Sequence, residues 1–152
     1  LVEGDTVVID FGGRLGGYCS DTTRTFSVGE PAAEVADAFA VLHEAQAAGV
    51  GAVRPGVPAE EVDEITRRVI TDAGYGEFFI HRTGHGIGLE EHEDPYIVEG
   101  NGLPLEPGMT FSIEPGIYVP GRFGMRIEDI VAVDGDGVDP LNRSPHRLHI
   151  VE

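Results

Sequence analysis

Three of the six histidines fall within twelve residues, at His81, His85 and His92, in the stretch H-R-T-G-H-G-I-G-L-E-E-H-E-D-P from His81 to Pro95. Gly84, Gly86 and Gly88 surround the middle one. Glycine lets backbone pass close to a bulky neighbour and adopt positive φ, so His85 is presented from a cramped segment rather than packed among leucines. Imidazole titrates near neutral pH and, when neutral, offers a lone pair to a metal. His81 and His85 have i, i+4 spacing, but Arg82 in place of a glutamate and Gly84 between them exclude the two-histidine zinc helix. Gly84-x-Gly86-x-Gly88 is one residue short of a dinucleotide fingerprint and does not open a helix. If His85 binds a metal, its other ligands come from elsewhere in the chain.

Four carboxylates answer that requirement. Asp10, Asp21, Glu114 and Glu128 sit in V-I-D-F, C-S-D-T-T-R, S-I-E-P and R-I-E-D-I, and burying a charge in such strands is costly unless something compensates it. Salt bridges to Arg24 and Arg126 would neutralise one acid each and leave at least two unpaired. Two divalent cations would balance all four and leave room for a shared hydroxide, with the neutral His85 ring as the single nitrogen donor. This oxygen-rich set suits Mn²⁺, with Co²⁺, Fe²⁺ and Zn²⁺ as alternatives by affinity. Two ions about 3.5–4 Å apart activate a water and polarise a carbonyl together. The chemistry implied is metal-assisted hydrolysis.

The elements that must position these groups follow from pattern. Thr6–Phe11 is β-branched and almost continuously apolar, as in a strand buried on both faces. Gly12-Gly13 and Gly16-Gly17 bracket a turn, and Tyr18–Phe26 returns as the second strand of a hairpin. A helix is predicted over Pro31–Ala48, with Val35, Phe39, Leu42 and Ala45 on one face. A second runs from Pro58 to Ala73, with Val62, Ile65 and Val69 inward and Gly74 as its stop. Two strands follow the histidines, Met109–Val119 interrupted at Pro115-Gly116, and Met125–Val133. The order β-β-α-α-β-β describes an α+β fold in one domain, residues 1–152.

There is an internal echo. Leu1–Gly12 (L-V-E-G-D-T-V-V-I-D-F-G) and Leu105–Gly116 (L-E-P-G-M-T-F-S-I-E-P-G) share Leu, Gly, Thr, Ile and the final Gly at a fixed offset, and Asp10 falls on Glu114. Asp21 and Glu128 follow on the next strand of each copy. A duplication is therefore expected, in which the helices precede the second hairpin and their counterpart before the first is absent. On that logic the chain is a fragment missing roughly 70–100 N-terminal residues.

Ten basic against twenty-seven acidic residues give a net charge of −17, which argues against nucleic-acid or anionic-membrane partners. No apolar run approaches the roughly 18 residues of a membrane span. Cys19 is alone, so no internal disulfide is possible; a small buried side chain and a reducing cytoplasm are expected. Asn142-Arg143-Ser144 fits a glycosylation sequon, which matters only in a secreted protein.

In register along Leu1 to about Val133, the motifs D-F-G, D-x-T-R-T, G-H-G-I-G-L-E-x-H-E-D-P, S-I-E-P-G-I-Y and R-I-E-D-I resemble those of the pita-bread metallopeptidases, specifically the Xaa-Pro aminopeptidase and prolidase branch. The resemblance implies a pita-bread fold with a pseudo-two-fold duplication, here lacking its first helical segment, and two divalent ions, Mn²⁺ foremost. Asp10 would hold the first ion, His85 and Glu114 the second, with Asp21 and Glu128 shared. Glu114 would also move the proton of the attacking water, His92 would stabilise the oxyanion, and His81, Tyr118 and Arg126 would contact substrate. It further implies a proline-containing peptide substrate and a homodimer in the complete protein. Relatives carry a separate N-terminal domain and the first half of the catalytic domain, which this chain lacks. A methionine aminopeptidase would share all five ligands, but would carry a histidine after the last of them, where this chain has Asp129-Ile130, and would lack I-E-P-G-I-Y. A binding scaffold that had lost its metals, or a metal-free creatinase-like hydrolase, would have lost ligands that are present here.

Overall fold

The paired glycines close a tight hairpin. In the computed structural model, which describes residues 1–152, β1 (Thr6–Leu15) and β2 (Tyr18–Val28) pair antiparallel from Thr6↔Ser27 to Leu15↔Tyr18. Gly16 and Gly17, at φ +62° and +94°, form the two-residue turn. Positive φ at both central positions matches the right-handed twist of the strands and is cheap only for glycine and a few polar residues.

Two helices follow, α1 (Ala33–Ala52) and α2 (Ala59–Asp72). Each begins just after its proline, Pro31 lying before the first turn and Pro58 at the cap. Val35, Phe39, Leu42 and Ala45 form the buried face of α1 as the spacing predicts. On α2, Val62 is buried but Ile65 and Val69 are only half-covered, and Ile70 takes the inner position. Gly49 lets α1 approach closely, since a Cβ there would lie 2.3 Å from Thr66 Oγ1 and 3.1 Å from Ile113 Cγ2.

The remaining strands are β3 (Gly84–Gly86), β4 (Glu93–Ile97), β5 (Thr110–Ile113), β6 (Gly116–Val119), β7 (Phe123–Arg126), β8 (Asp129–Val133), β9 (Val138–Pro140) and β10 (His149–Val151). They form a five-stranded sheet in the order β4-β3-β5-β8-β9, a β6-β7 ribbon, and a β1-β2-β10 sheet. The α+β class is thus observed. The second expected hairpin exists but is split: β5 pairs with β8 and β6 with β7, in different sheets. Pro115, which has no N–H for a ladder, stands at the break. There an isolated bridge, Thr23↔Glu128, ties β2 to the second hairpin. The core lies in two clusters. One joins α1 to β6 and β7 through Phe39, Leu42, Ile117 and Met125; the other joins α2 to β5 and β8 through Val62, Phe111, Ile113 and Val131.

Several expectations are corrected. β1 is not buried on both faces: Ile9, Phe11 and Leu15 are 42%, 63% and 88% exposed. The helices are the reason. α1 packs on β5, β6 and β7, and α2 on α1 and β4, while β1 is flanked by β2 and β7. The histidine segment contributes two short strands that no alternation announces, and β9 and β10 are too short to show a period. Cys19 is half-buried, its Sγ 3.8 Å from the Leu89 carbonyl. Neither helix is long and apolar enough to cross a membrane.

Candidate metal centre

The segment that carries His85 is clamped from both sides. Below it, buried Asp63 on α2 accepts the Thr83 N–H (3.1 Å) and pairs with Arg67 (3.0 Å), which donates to the carbonyls of Phe79 and His81. Above it, β3 threads between β4 and β5 so tightly that a Cβ on Gly84 would lie 1.8 Å from Ser112 O, and one on Gly86 2.3 Å from Asp94 O. Only glycine fits either position, which is the cramped presentation the sequence implied. His85, 2% exposed, is fixed by its N–H to Ser112 Oγ (2.9 Å). Its Nδ1 stands 3.1 Å from Gly86 O. A proton there donates to that carbonyl and leaves the Nε2 lone pair free, the tautomer a metal requires. Burial pushes the His85 pKa down, so the ring is neutral at pH 7.

His85 Nε2 points at carboxylates, 3.3 Å from Glu114 Oε1 and 3.9 Å from Asp21 Oδ2. One potential ligand atom each from Asp21, His85 and Glu128 lie within 4.8 Å of one another. Local strand geometry explains the aim of the glutamates. Residues two apart share a strand face, so Ser112 Oγ reaches Glu114 Oε1 at 3.1 Å. Thr23, across the bridge, donates to Glu128 Oε2 at 2.5 Å.

These acids resist ionisation. Burial first, then the charge of Glu114, pushes Glu128 up to about 8. Burial raises Glu114 to about 7, against the pull of Ser112 and Arg126. Burial and neighbouring Asp10 raise Asp21 to about 6. Arg24 and Arg126 do not each neutralise one of the four: Arg126 pairs with Asp10 (2.5 Å), but Arg24 is turned to Asp129 (2.6 Å) and to the carbonyls of Thr23 and Glu128. Three buried or half-buried carboxyls around a neutral imidazole, with no cation paired to them, match the donor set of a divalent ion.

The structure thus brings Asp21, His85, Glu114 and Glu128 together. Asp10, its side chain 46% exposed, stands at the rim on Arg126. From there a chain of contacts forms one wall: Arg126 Nη1 donates to Tyr118 Oη (3.0 Å), and Tyr118 Oη lies 3.1 Å from His81 Nε2. Burial lowers the His81 pKa, and its Nδ1 is 2.8 Å from the Arg82 carbonyl, so Nε2 is the acceptor for the tyrosine. His92 is exposed, with its ring centroid 3.9 Å from that of His85. All nine predicted residues line a single open cavity of about 930 Å³ except Tyr118, which contacts it through His81 and Arg126. Sequence reasoning missed Arg82, Glu91, Tyr96 and Val98 in that lining, and the hydroxyls of Thr23 and Ser112 behind the acids. Ser112 was legible as a hydroxyl two residues before Glu114; the Thr23 contact spans 105 positions and left no local signal.

A family model described as metallopeptidase family M24 matches residues 1–135. The probable dipeptidase PepE of Mycobacterium tuberculosis is 59% identical over 152 residues, which cover 99% of this chain and 40% of that protein. The Xaa-Pro dipeptidase of Lactobacillus delbrueckii subsp. lactis is 48% identical over 97% of this chain and 40% of its own length. Among solved structures, a recombinant prolidase from Thermococcus sibiricus superposes with a TM-score of 0.97 at 48% identity, covering 99% of this chain and 41% of that one. The chain therefore spans about two fifths of the length of the relatives it matches. With the motifs in register, the family model matched over most of the chain and the fold superposed, the chain belongs to metallopeptidase family M24.

Proposed function

We propose that the complete protein containing this chain hydrolyses the peptide bond between an N-terminal residue and a penultimate proline. Asp10, Asp21, His85, Glu114 and Glu128 would hold two divalent ions, Mn²⁺ foremost, with Asp21 and Glu128 shared between them. The observation that carries this reading is the convergence of the neutral His85 Nε2 with half-buried Glu114 and buried Glu128, neither of which is paired with a lysine or arginine. The names of the relatives, Xaa-Pro dipeptidase and prolidase, support the proline preference. The lone Cys19 supports a reducing cytoplasm, and the resemblance extends to a homodimer.

When bound, the ions supply a polarised scissile carbonyl and a water acidic enough to attack it at neutral pH. The side chains do the rest. Glu114, held by Ser112, accepts one proton from that water as the oxygen adds to the carbonyl carbon. It returns the proton to the imide nitrogen, a poor leaving group until protonated, and the C–N bond breaks. His92, beside His85 and open to the cavity, donates to the oxyanion. His81, tied to Tyr118 and through it to Arg126, orients the substrate's carbonyl side.

The test is the complete, Mn²⁺-loaded protein assayed on a Xaa-Pro dipeptide, a Xaa-Pro-Xaa tripeptide and a Met-Ala-Xaa peptide. Cleavage of a proline substrate is expected. Cleavage of the methionine peptide alone would make it a methionine aminopeptidase, and a fully loaded protein that cleaves none would be a binding scaffold.

A further inference from the structure

The two hairpins meet along a short seam, and both acids assigned to be shared between the ions lie on it. The Glu128 N–H donates to the Thr23 carbonyl at 3.1 Å, the isolated bridge between β2 and the second hairpin. Asp21 stands two residues before Thr23, and Ile130 two residues after Glu128. One side chain joins them. Asn142 Nδ2 donates to the Asp21 carbonyl at 2.9 Å, and the Ile130 N–H donates to Asn142 Oδ1 at 2.8 Å. A carbonyl on one side and an N–H on the other admit only one orientation of the amide.

Asn142 arrives there because the β8–β9 ladder ends in a substitution. The Leu141 N–H donates to the Ile130 carbonyl, and a regular antiparallel pair would return a bond from the Ile130 N–H to backbone. That bond goes to the Asn142 side chain instead, so the amide nitrogen is left to cross to β2. The nitrogen that glycosylation of the Asn142-Arg143-Ser144 sequon would modify is therefore turned into the seam. A single bridge between two chains leaves them free to pivot; further attachments fix their angle. Arg24 and, at 3.4 Å, Thr22 reach the Glu128 carbonyl, while Asn142 holds the carbonyl of Asp21 itself. The spacing at stake is narrow, since one ligand atom each from Asp21, His85 and Glu128 lie within 4.8 Å of one another. We propose that Asn142 is a positioning residue for the metal centre, which fixes the backbone of Asp21 against that of Glu128 so that both carboxylates reach the same ion. This rests on the metal-binding part of the reading above and not on its proline preference.

The test titrates Mn²⁺ into the metal-free complete protein by calorimetry and records the electron paramagnetic resonance spectrum of the loaded form. Asn142→Asp keeps the size and the acceptor for Ile130 but sets an oxygen against the Asp21 carbonyl; Asn142→Ala removes both bonds. Each is expected to bind Mn²⁺ about 10–100-fold more weakly than wild type, the scale for residues that orient ligands. The signal of exchange-coupled ions should give way to that of isolated Mn²⁺. Ser144→Ala, which destroys the sequon and leaves Asn142 in place, should match wild type in both readouts. Asn142 variants that melt earlier but, while folded, keep wild-type affinity and coupling overturn the proposal, as does equal weakening in Ser144→Ala. One measurement needs no variant to fold: by linkage, saturating Zn²⁺ should slow deuterium exchange at the wild-type Ile130 amide, and unchanged exchange overturns the proposal. Wild type that binds a single ion sinks the two-ion reading, and the affinity ratio for that ion still decides the role of Asn142. Wild type that binds none sinks the metal reading, and this proposal with it.

Discussion

The two echoing hairpins carry matched acids on unlike backbones. β1 and β2 pair for ten residues without a break, and Asp10 and Asp21 stand on that ladder, the first largely exposed and the second half-buried. The second hairpin splits where Pro115 follows Glu114, and both of its glutamates occupy the gap between β5–β8 and β6–β7. Helices cover this second copy and none covers β1. The same sequence pattern therefore leaves Asp10 at an exposed rim, sets Asp21 and Glu114 half-buried, and buries Glu128 fully. The electrostatics follow: Glu114 and Glu128 rise to about 7 and about 8, Asp21 only to about 6. The first copy thus places Asp10 on the open side of the cavity, and the second supplies the two carboxyls whose pKa values stand highest.

The largest effect that could break this division is at Glu114. Glu114→Gln keeps the size and one oxygen but cannot accept a proton. It is expected to retain a substantial share of bound Mn²⁺ while kcat falls about 10³–10⁴-fold, the upper range for a general base. Glu114→Ala should lose an ion as well. Comparable metal loss in both variants, read by elemental analysis, would reduce Glu114 to a ligand, and near-normal turnover in Glu114→Gln would remove its proton role.

His92 comes next. It belongs to neither hairpin and, exposed beside His85, is proposed to act only as charge develops. Interactions made only in the transition state lower kcat and kcat/KM together. His92→Ala should cost about 10²–10³-fold in kcat, the scale of one oxyanion donor, at unchanged metal content. A mutant with normal kcat makes His92 a bystander.

A stoichiometric effect sharpens the comparison further. Wild type should bind close to two Mn²⁺ per chain, and His85→Ala, which touches only the second proposed ion, about one. Equal loss of both ions, with circular dichroism unchanged, would count against the division of ligands.

Much of this centre was legible because its chemistry is local. The glycines around His85 announced close backbone approach, and β3 is indeed wedged at Ser112 and Asp94. Asp10 and Glu114 aligned because the echo preserved their places. What could not be read was everything set by distant packing. The apolar run of β1 states that a face wants cover, not whether this chain supplies it. Arg24 stands three residues from a site acid in sequence, yet its role is decided by Asp129 and by carbonyls more than 100 positions away. The contacts of Asn142 likewise exist only once both hairpins have been placed.

The smallest effect tests the electrostatic asymmetry directly, through the stability of the metal-free protein. In the folded state Glu114 and Glu128 hold protons that the unfolded chain, with carboxyls at the ordinary 4.5, has already released above about pH 5. Stability changes with pH as the protons bound unfolded minus those bound folded. That difference is negative up to about pH 8, so stability falls as pH rises. The buried histidines act oppositely: His81 and His85 have lowered pKa values, so they cost stability as pH drops below about 6.5. The clean window is therefore pH 6.5 to 8. Across it the Tm of the metal-free protein should fall, on the order of 2–4 °C, and Glu128→Gln should remove more of the slope than Asp21→Asn. Saturating Mn²⁺ should flatten it, because ligation requires the deprotonated acids and takes over the work of the protons. A metal-free Tm that climbs from pH 6.5 to 8, or a slope that survives Glu128→Gln but vanishes in Asp21→Asn, would place the proton-carrying groups on the wrong hairpin.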